Sequence, residues 1–225
     1  MALPASGNSL SLNQMHIEVG GTSGTTCSLN DSDIRGLISK SSGATMAFNE
    51  WFGASASVAD YSTTLTSGHT SLTTTIGYSS YVNAAKGFLT TSASQPMFGT
   101  STNNIGSLSS TSNTNYFGGN TIHGLAMLGT TTSTTGGIHL YVATLNISNS
   151  DTSFKEVVIN GTTYTRSNAT YSSSTYGGFA YSSWSWSPVQ ANLSNSSATI
   201  GNTASAAMGP FPGSGSTCTI TFKRN

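Results

Sequence analysis

Val157-Val158-Ile159-Asn160-Gly161-Thr162-Thr163-Tyr164-Thr165 sets an Asn-Gly pair between two β-prone runs. Both central residues of a type I′ turn need positive φ, which Asn and Gly accept most readily, so this stretch predicts a two-residue β-hairpin. Working outward, period-2 alternation recurs on both sides. Tyr61, Thr63 and Leu65 share one strand face, as do Leu72, Thr74, Ile76 and Tyr78. Ile138, Leu140 and Val142 share another, and the phase then moves to Leu145 and Ile147, which predicts a bulge near Thr144. Downstream, Trp184 and Trp186 alternate with serines, and Cys218-Thr219-Ile220-Thr221-Phe222 makes a final strand. Many short strands parted by Gly, Ser and Asn turns, with no strict repeat period, predict an antiparallel β-sandwich over residues 55–225.

Residues 1–54 read differently, as a small helical head. Ser11 followed by Gln14 is a capping-box pattern, Leu12, Met15 and Val19 fall on one helical face, and Gly20-Gly21 stops the helix. Ser28 followed by Asp31 repeats the start signal for a second helix to about Lys40, with Leu29, Ile34, Leu37 and Ile38 as its apolar stripe. Thr45 or Asn49 is the expected cap of a last short turn carrying Trp51 and Phe52. Helices this short are marginal alone in water, below the roughly 12–15 residues an isolated helix needs. They must dock on one another, on the body or on a partner.

Charge is the anomaly of the composition. Only 6% of the 225 residues are charged, against roughly 25% in a typical soluble domain. Residues 1–54 hold four of the seven acids and two of the seven bases. The formal net charge is zero and no basic run occurs, so the chain carries no electrostatic footprint for nucleic acid or an anionic membrane. No stretch approaches the roughly 20 apolar residues that span a bilayer, and the N-terminus lacks the pattern of a signal peptide. Uncharged Ser and Thr leave strand edges poorly defended, which favours an assembly in which those edges are paired or covered, that is, a homo-oligomer, with a trimer as one form.

The residues Leu3, Ser9-Leu10-Ser11 to Ile17, Ser28 to Leu37, Ser41 to Met46 and Phe52-Gly53 resemble the N-terminal segment of many tailed-bacteriophage virion proteins, marine and cyanobacterial phages included. A second patch, Asn120 to Leu125, Val157 to Tyr171 and Ser183-Trp184-Ser185-Trp186, resembles the same proteins. The two patches cover under half of the chain. The resemblance implies a tail-fibre or tail-associated structural protein, assembled in the bacterial cytoplasm, with other tail or capsid proteins as partners.

Motifs for chemistry are sparse. His16, His69, His123 and His139 show no zinc-type spacing, although His123 and His139 lie in predicted strands and could approach one another. Asp31-Ser32-Asp33 is a fragment of a calcium-loop pattern, better explained as anions at a helix start. Asp151 and Glu156 flank a strand start beside Lys155, the one place where paired carboxylates could cleave a glycan. No nucleophile elbow, dinucleotide fingerprint or phosphate loop occurs. Catalytic residues, metal and cofactor are therefore expected to be absent. Cys27 and Cys218 lie near opposite ends; a bridge is open, though Cys218 alternates with Ile220 and Phe222 as a small buried hydrophobe would.

Two sets of residues are expected to carry contacts. Leu12, Met15, Val19, Ile34, Leu37 and Ile38 would mediate attachment to the virion. Tyr171, Tyr176, Phe179 and Tyr181, among Ser and Gly, would face outward towards host surface glycans, while Trp184 and Trp186 belong to the sandwich core. The leading expectation is a non-enzymatic tail-fibre or tail-tip protein. A capsid decoration protein is the alternative, and a glycan-cleaving tail enzyme the weaker one.

Overall fold

The computed structural model describes residues 2–56, 58–76, 79–90, 104–130, 135–147, 153–190 and 207–224, with the side chains at 71–76, 79–83, 130 and 190 excepted. The chain divides into two compact units, Met1–Val58 and Ala59–Arg224.

In the first unit, helix α1 (Leu12–Glu18) begins as the capping box requires: Ser11 Oγ accepts the Gln14 N–H at 3.2 Å, and Gln14 Oε1 accepts the Ser11 N–H at 2.7 Å. Gly20, at φ 89°, ends it, and the Gly21 N–H donates back to His16 O at 2.8 Å. Helix α2 is only Ser32–Gly36, not the longer span expected from Ser28 to Lys40. The reason is local competition. Ser28 Oγ takes the Asn30 N–H at 3.1 Å and Asp31 Oδ2 takes the Ser28 N–H at 2.8 Å, so both side chains build a turn before the helix. At the far end Ser39 adopts φ 56°, which closes the helix off. The last turn is a 3₁₀ segment, Phe48–Trp51, capped at Ala47 rather than at Thr45 or Asn49. Glu50 makes this work by reaching back to the Ala47 N–H at 2.8 Å. Lys40 Nζ sits 2.8 Å from the same carboxylate, and that bond, ahead of the Ala47 N–H, holds its pKa below the usual value.

The short helices pack on one another. Leu3, Met15, Ile34 and Trp51 form a buried core ringed by Leu10, Leu12, Val19, Leu29, Leu37, Ile38 and Met46. Trp51 Nε1 donates to Ile34 O at 3.0 Å, tying the last turn to α2.

The second unit is a two-sheet antiparallel sandwich. Its strands are β1 (Tyr61–Thr66), β2 (Gly68–Ile76), β3 (Ser79–Leu89), β4 (Ser107–Leu108), β5 (Ile122–Thr130), β6 (Thr135–Val142), β7 (Glu156–Ile159), β8 (Thr162–Thr165), β9 (Thr170–Tyr176), β10 (Phe179–Gln190) and β11 (Thr217–Lys223). One sheet runs β4-β1-β11-β7-β8 and the other β2-β3-β5-β6-β10-β9. The Asn-Gly hairpin joins β7 to β8 with Ile159 opposite Thr162, Asn160 at φ 49° and Gly161 at φ 80°. Tyr61, Thr63 and Leu65 are buried, as their alternation predicts. Leu72, Thr74 and Ile76 lie in β2, but their side chains and Tyr78 fall outside the described residues.

No bulge forms at Thr144. Strand β6 stops at Val142, and the chain turns away through Asn146 at φ 59°, leaving Leu145 exposed and Ile147 buried by a separate route. The register shifts fall instead between Ile122 and Gly124 of β5 and between Trp186 and Val189 of β10. Between the sheets, Leu65, Val157, Ile159, Ile220 and Phe222 face Leu125, Met127, Ile138, Leu140, Trp184 and Trp186. Phe117 and Phe154, outside the strands, fill the middle: Phe222 meets them edge-on at 5.3 and 5.8 Å, and Phe154 lies 5.2 Å from Trp184. Cys27 and Cys218 are free thiols, with Cys218 buried on the inner face.

The crossing from one sheet to the other, after Thr66, brings three glycine backbones together. Gly68 pairs opposite Gly87, and a Cβ on Gly106 would lie 2.3 Å from Gly87 O. Gly106→Ala is therefore expected to destabilise the unit by about 2–4 kcal/mol, from overpacking against rigid backbone plus the left-handed φ of 57°. Gly161→Ala, at positive φ but with open space around it, is expected to cost only about 1 kcal/mol. Denaturant midpoints of the two variants check the difference.

Candidate functional site

The outermost strands β8 and β9 belong to different sheets and are joined by a single 3₁₀ turn, Arg166–Asn168. Where the chain crosses, a cleft of about 480 Å³ opens, lined by Lys155, Glu156, Thr165, Arg166, Ser167, Tyr171 and Trp184. Backbone bonds hold its floor: Arg166 N–H donates to Lys155 O at 2.7 Å, and Lys155 N–H donates to Lys223 O at 2.7 Å. The Arg166 guanidinium also donates to Ser153 Oγ. Tyr171 packs its ring 5.5 Å from Trp184 and shares a 3.1 Å hydrogen bond with Ser182 Oγ.

The two tryptophans of β10 differ in their hydrogen bonding. Trp186 Nε1 donates to Thr165 O at 2.8 Å, whereas Trp184 Nε1 is buried and has no hydrogen-bond partner among the described residues. A buried N–H left unmade costs about 1–3 kcal/mol, and Trp184 shares that condition with Arg35 Nε, Ser67 Oγ and Tyr116 Oη. Among the described residues the cleft thus combines two cationic groups, one carboxylate, hydroxyls and an aromatic face. Such a lining can hold a polar ring-shaped molecule by stacking and by directed hydrogen bonds.

Of the four residues expected to form one outward surface, only Tyr171 lines this cleft. The pleat divides them. Tyr171 sits opposite Trp184, while Phe179, Tyr181 and Tyr176 point to the other face of the sheet. There Phe179 stacks on Tyr181 at 5.9 Å and meets His123 in a tilted contact at 5.0 Å, and Tyr181 lies 5.3 Å from Tyr141, which stacks on His139. Tyr176, 44% exposed, stands at the hairpin tip before Gly177-Gly178. The six residues expected to attach the head lie within its own core or its ring, with Met15 and Ile34 fully buried. What the head presents instead is Ile17 and Phe48, 47% and 45% exposed, and a groove of about 370 Å³ along Ala2, Leu3, Pro4, Gln14, Ile17 and Glu18.

His123 and His139 occupy neighbouring strands but do not face one another, since His139 pairs with Ala126. Burial lowers both imidazole pKa values, that of His139 to about 4. Asp31 holds the N-cap position of α2 with its carboxylate turned back to the Ser28 N–H, and Asp33 accepts the Ile34 N–H, while Asp151 lies outside the described residues. Among the described residues no group of three or more metal-ligating side chains comes together.

The His139 environment predicts an acid dependence. Its folded pKa lies below the ordinary 6.5, so the unfolded chain binds the proton more readily. The stability this group contributes is complete above about pH 6.5 and falls as pH drops towards 4, by on the order of 1–3 kcal/mol. His139→Gln is expected to flatten that part of a stability-versus-pH curve, with a smaller residual slope from His123.

Sequence reasoning placed Glu156 and Lys155 together and named Tyr171 separately, but missed Arg166, Ser167 and Trp184 as members of the same site. A signal existed. In a body nearly free of charge, Lys155, Glu156 and Arg166 fall within a dozen residues, and Lys223 pairs opposite Glu156. Comparison with protein-family models, with curated proteins and with solved structures finds no match to this chain.

Proposed function

We propose that this chain is a non-enzymatic structural protein of a tailed-phage virion, a tail-fibre or tail-tip component that attaches through its N-terminal unit and displays its sandwich for host adsorption. The observation that carries this reading is the division into a small unit with its own core and a much larger β body. A separately folded head can be mounted on another virion protein without disturbing the body. The body's solubility rests on hydroxyls and amides rather than charge, a surface suited to weak contacts that many copies reinforce. The resemblance of the head and of the Val157–Tyr171 region to phage virion proteins supports the same assignment.

Quantitative mass spectrometry of purified particles tests it. Tens of copies per particle, with localisation to the tail, support the tail assignment. Hundreds of copies on the shell would make the chain a decoration protein instead, and its absence from particles would overturn the reading.

A further inference from the structure

We propose that the cleft between β8 and β9 is a binding site for a carboxylate-bearing saccharide, an oligomer of hexuronic acid being the simplest ligand of that class. The inference deepens the adsorption reading and rests on it only for where such a ligand would be met.

The chemistry of the lining selects the class. Arg166 offers a planar fork of donors matched to a carboxylate, and exposed Lys155 adds a second positive charge at the same opening. Trp184, 1% exposed, backs the cleft behind Tyr171 and fixes that ring's position. Glu156 is an acceptor for sugar hydroxyls, and the Tyr171 ring gives the apolar face of a pyranose something to lie against. A volume of about 480 Å³ is in the range of small-molecule sites and suits one or two sugar rings.

Other ligands fit less well. Inorganic phosphate has no apolar face to lie on the Tyr171 ring, and the chain has no basic run to track a nucleic-acid backbone. Glycan cleavage needs two carboxylates flanking one bond, and among the described lining residues Glu156 is the single carboxylate. Binding without turnover is what this set of groups supports. The placement of charge points the same way: in a body this poor in ions, three ionic side chains converge on one opening.

Titration calorimetry on the full chain tests the site, using galacturonate, glucuronate and mannuronate oligomers, their methyl esters, a neutral glucose oligomer and inorganic phosphate. The expected result is saturable one-site binding of at least one free acid, with its ester and the neutral oligomer at least ~10-fold weaker. Arg166→Gln and Lys155→Gln are each expected to weaken binding by roughly 10-fold. Because Arg166 also bonds the buried Ser153, the exposed Lys155→Gln variant, shown to melt like the parent, carries the test if Arg166→Gln does not fold. Equal affinity for acid and ester, indifference to both Arg166→Gln and Lys155→Gln, phosphate competing as well as the oligomer, or no binding of any acid would each overturn the proposal. A chain that binds uronate yet is missing from particles overturns the adsorption reading and leaves the site standing. A chain present in tails that binds no uronate does the reverse.

Discussion

Phe222→Ala is expected to lower the stability of the sandwich by about 3–5 kcal/mol, the range for truncating a buried aromatic. Phe222 is fully buried on β11, which lies between β1 and β7 in the middle of the five-stranded sheet. Its ring stacks on Tyr61 at 5.5 Å and meets Phe117 and Phe154 edge-on, so no neighbour can move into the space without losing another contact. A domain of this size has roughly 5–15 kcal/mol to lose in total, so the variant sits close to unfolding at ordinary temperature. Val158→Ala, at a half-buried position on the outward face of β7, is expected to lose less than about 1 kcal/mol. Urea unfolding followed by near-UV circular dichroism separates the two. A Phe222→Ala loss below about 1 kcal/mol would mean that the aromatic cluster is not the keystone described here.

Removing residues 1–58 is expected to abolish incorporation into particles while leaving the sandwich folded. The ground is the self-sufficiency of the second unit, whose sheets, core and closing strand β11 are all drawn from residues 59–224. The unfolding midpoint of the truncated body should match that of the same unit in the full chain. A finer version uses Ile17→Asp with Phe48→Asp, which places charge on exposed apolar residues and keeps the buried Met15, Ile34 and Trp51, losing only the ring contacts of Phe48 with Trp51 and Phe52. That double variant should fold and should be depleted from purified tails. Particles that take up the headless body normally would overturn the assignment of attachment to the first unit.

The parts of the fold that were legible in the sequence are those settled over short distances. The Asn160-Gly161 hairpin needs only its two turn residues and the runs beside them, and Ser11 with Gln14 carries its own cap. Ser28 and Asp31 were misleading because the same side chains that open a helix can instead close a turn. Tyr171 and Tyr176 looked like one surface since they are close in sequence, yet an odd spacing along a strand sends them to opposite faces. The cleft was half legible. Its lining comes from two consecutive hairpins, β7–β8 and β9–β10, so the pairing of Glu156 with Thr165 follows from the Asn-Gly turn. The passage of the chain from one sheet to the other at Arg166–Asn168, which opens the space, is instead a matter of tertiary topology.

Lys86 sits on the inner face of β3 with no accessible surface, and burial lowers its pKa to about 8. The remaining lysines are Lys40 in the first unit, Lys155 at the cleft and Lys223 on β11. An acylating reagent applied to the native protein thus finds one amine per region of interest and one sealed inside. Modification of Lys86 reports opening of the sandwich, protection of Lys155 reports occupancy of the cleft, and protection of Lys40 within a particle reports burial of the head. A chain with so few charges is in effect labelled in advance, and a peptide map of its lysines can follow folding, ligand and assembly in one sample.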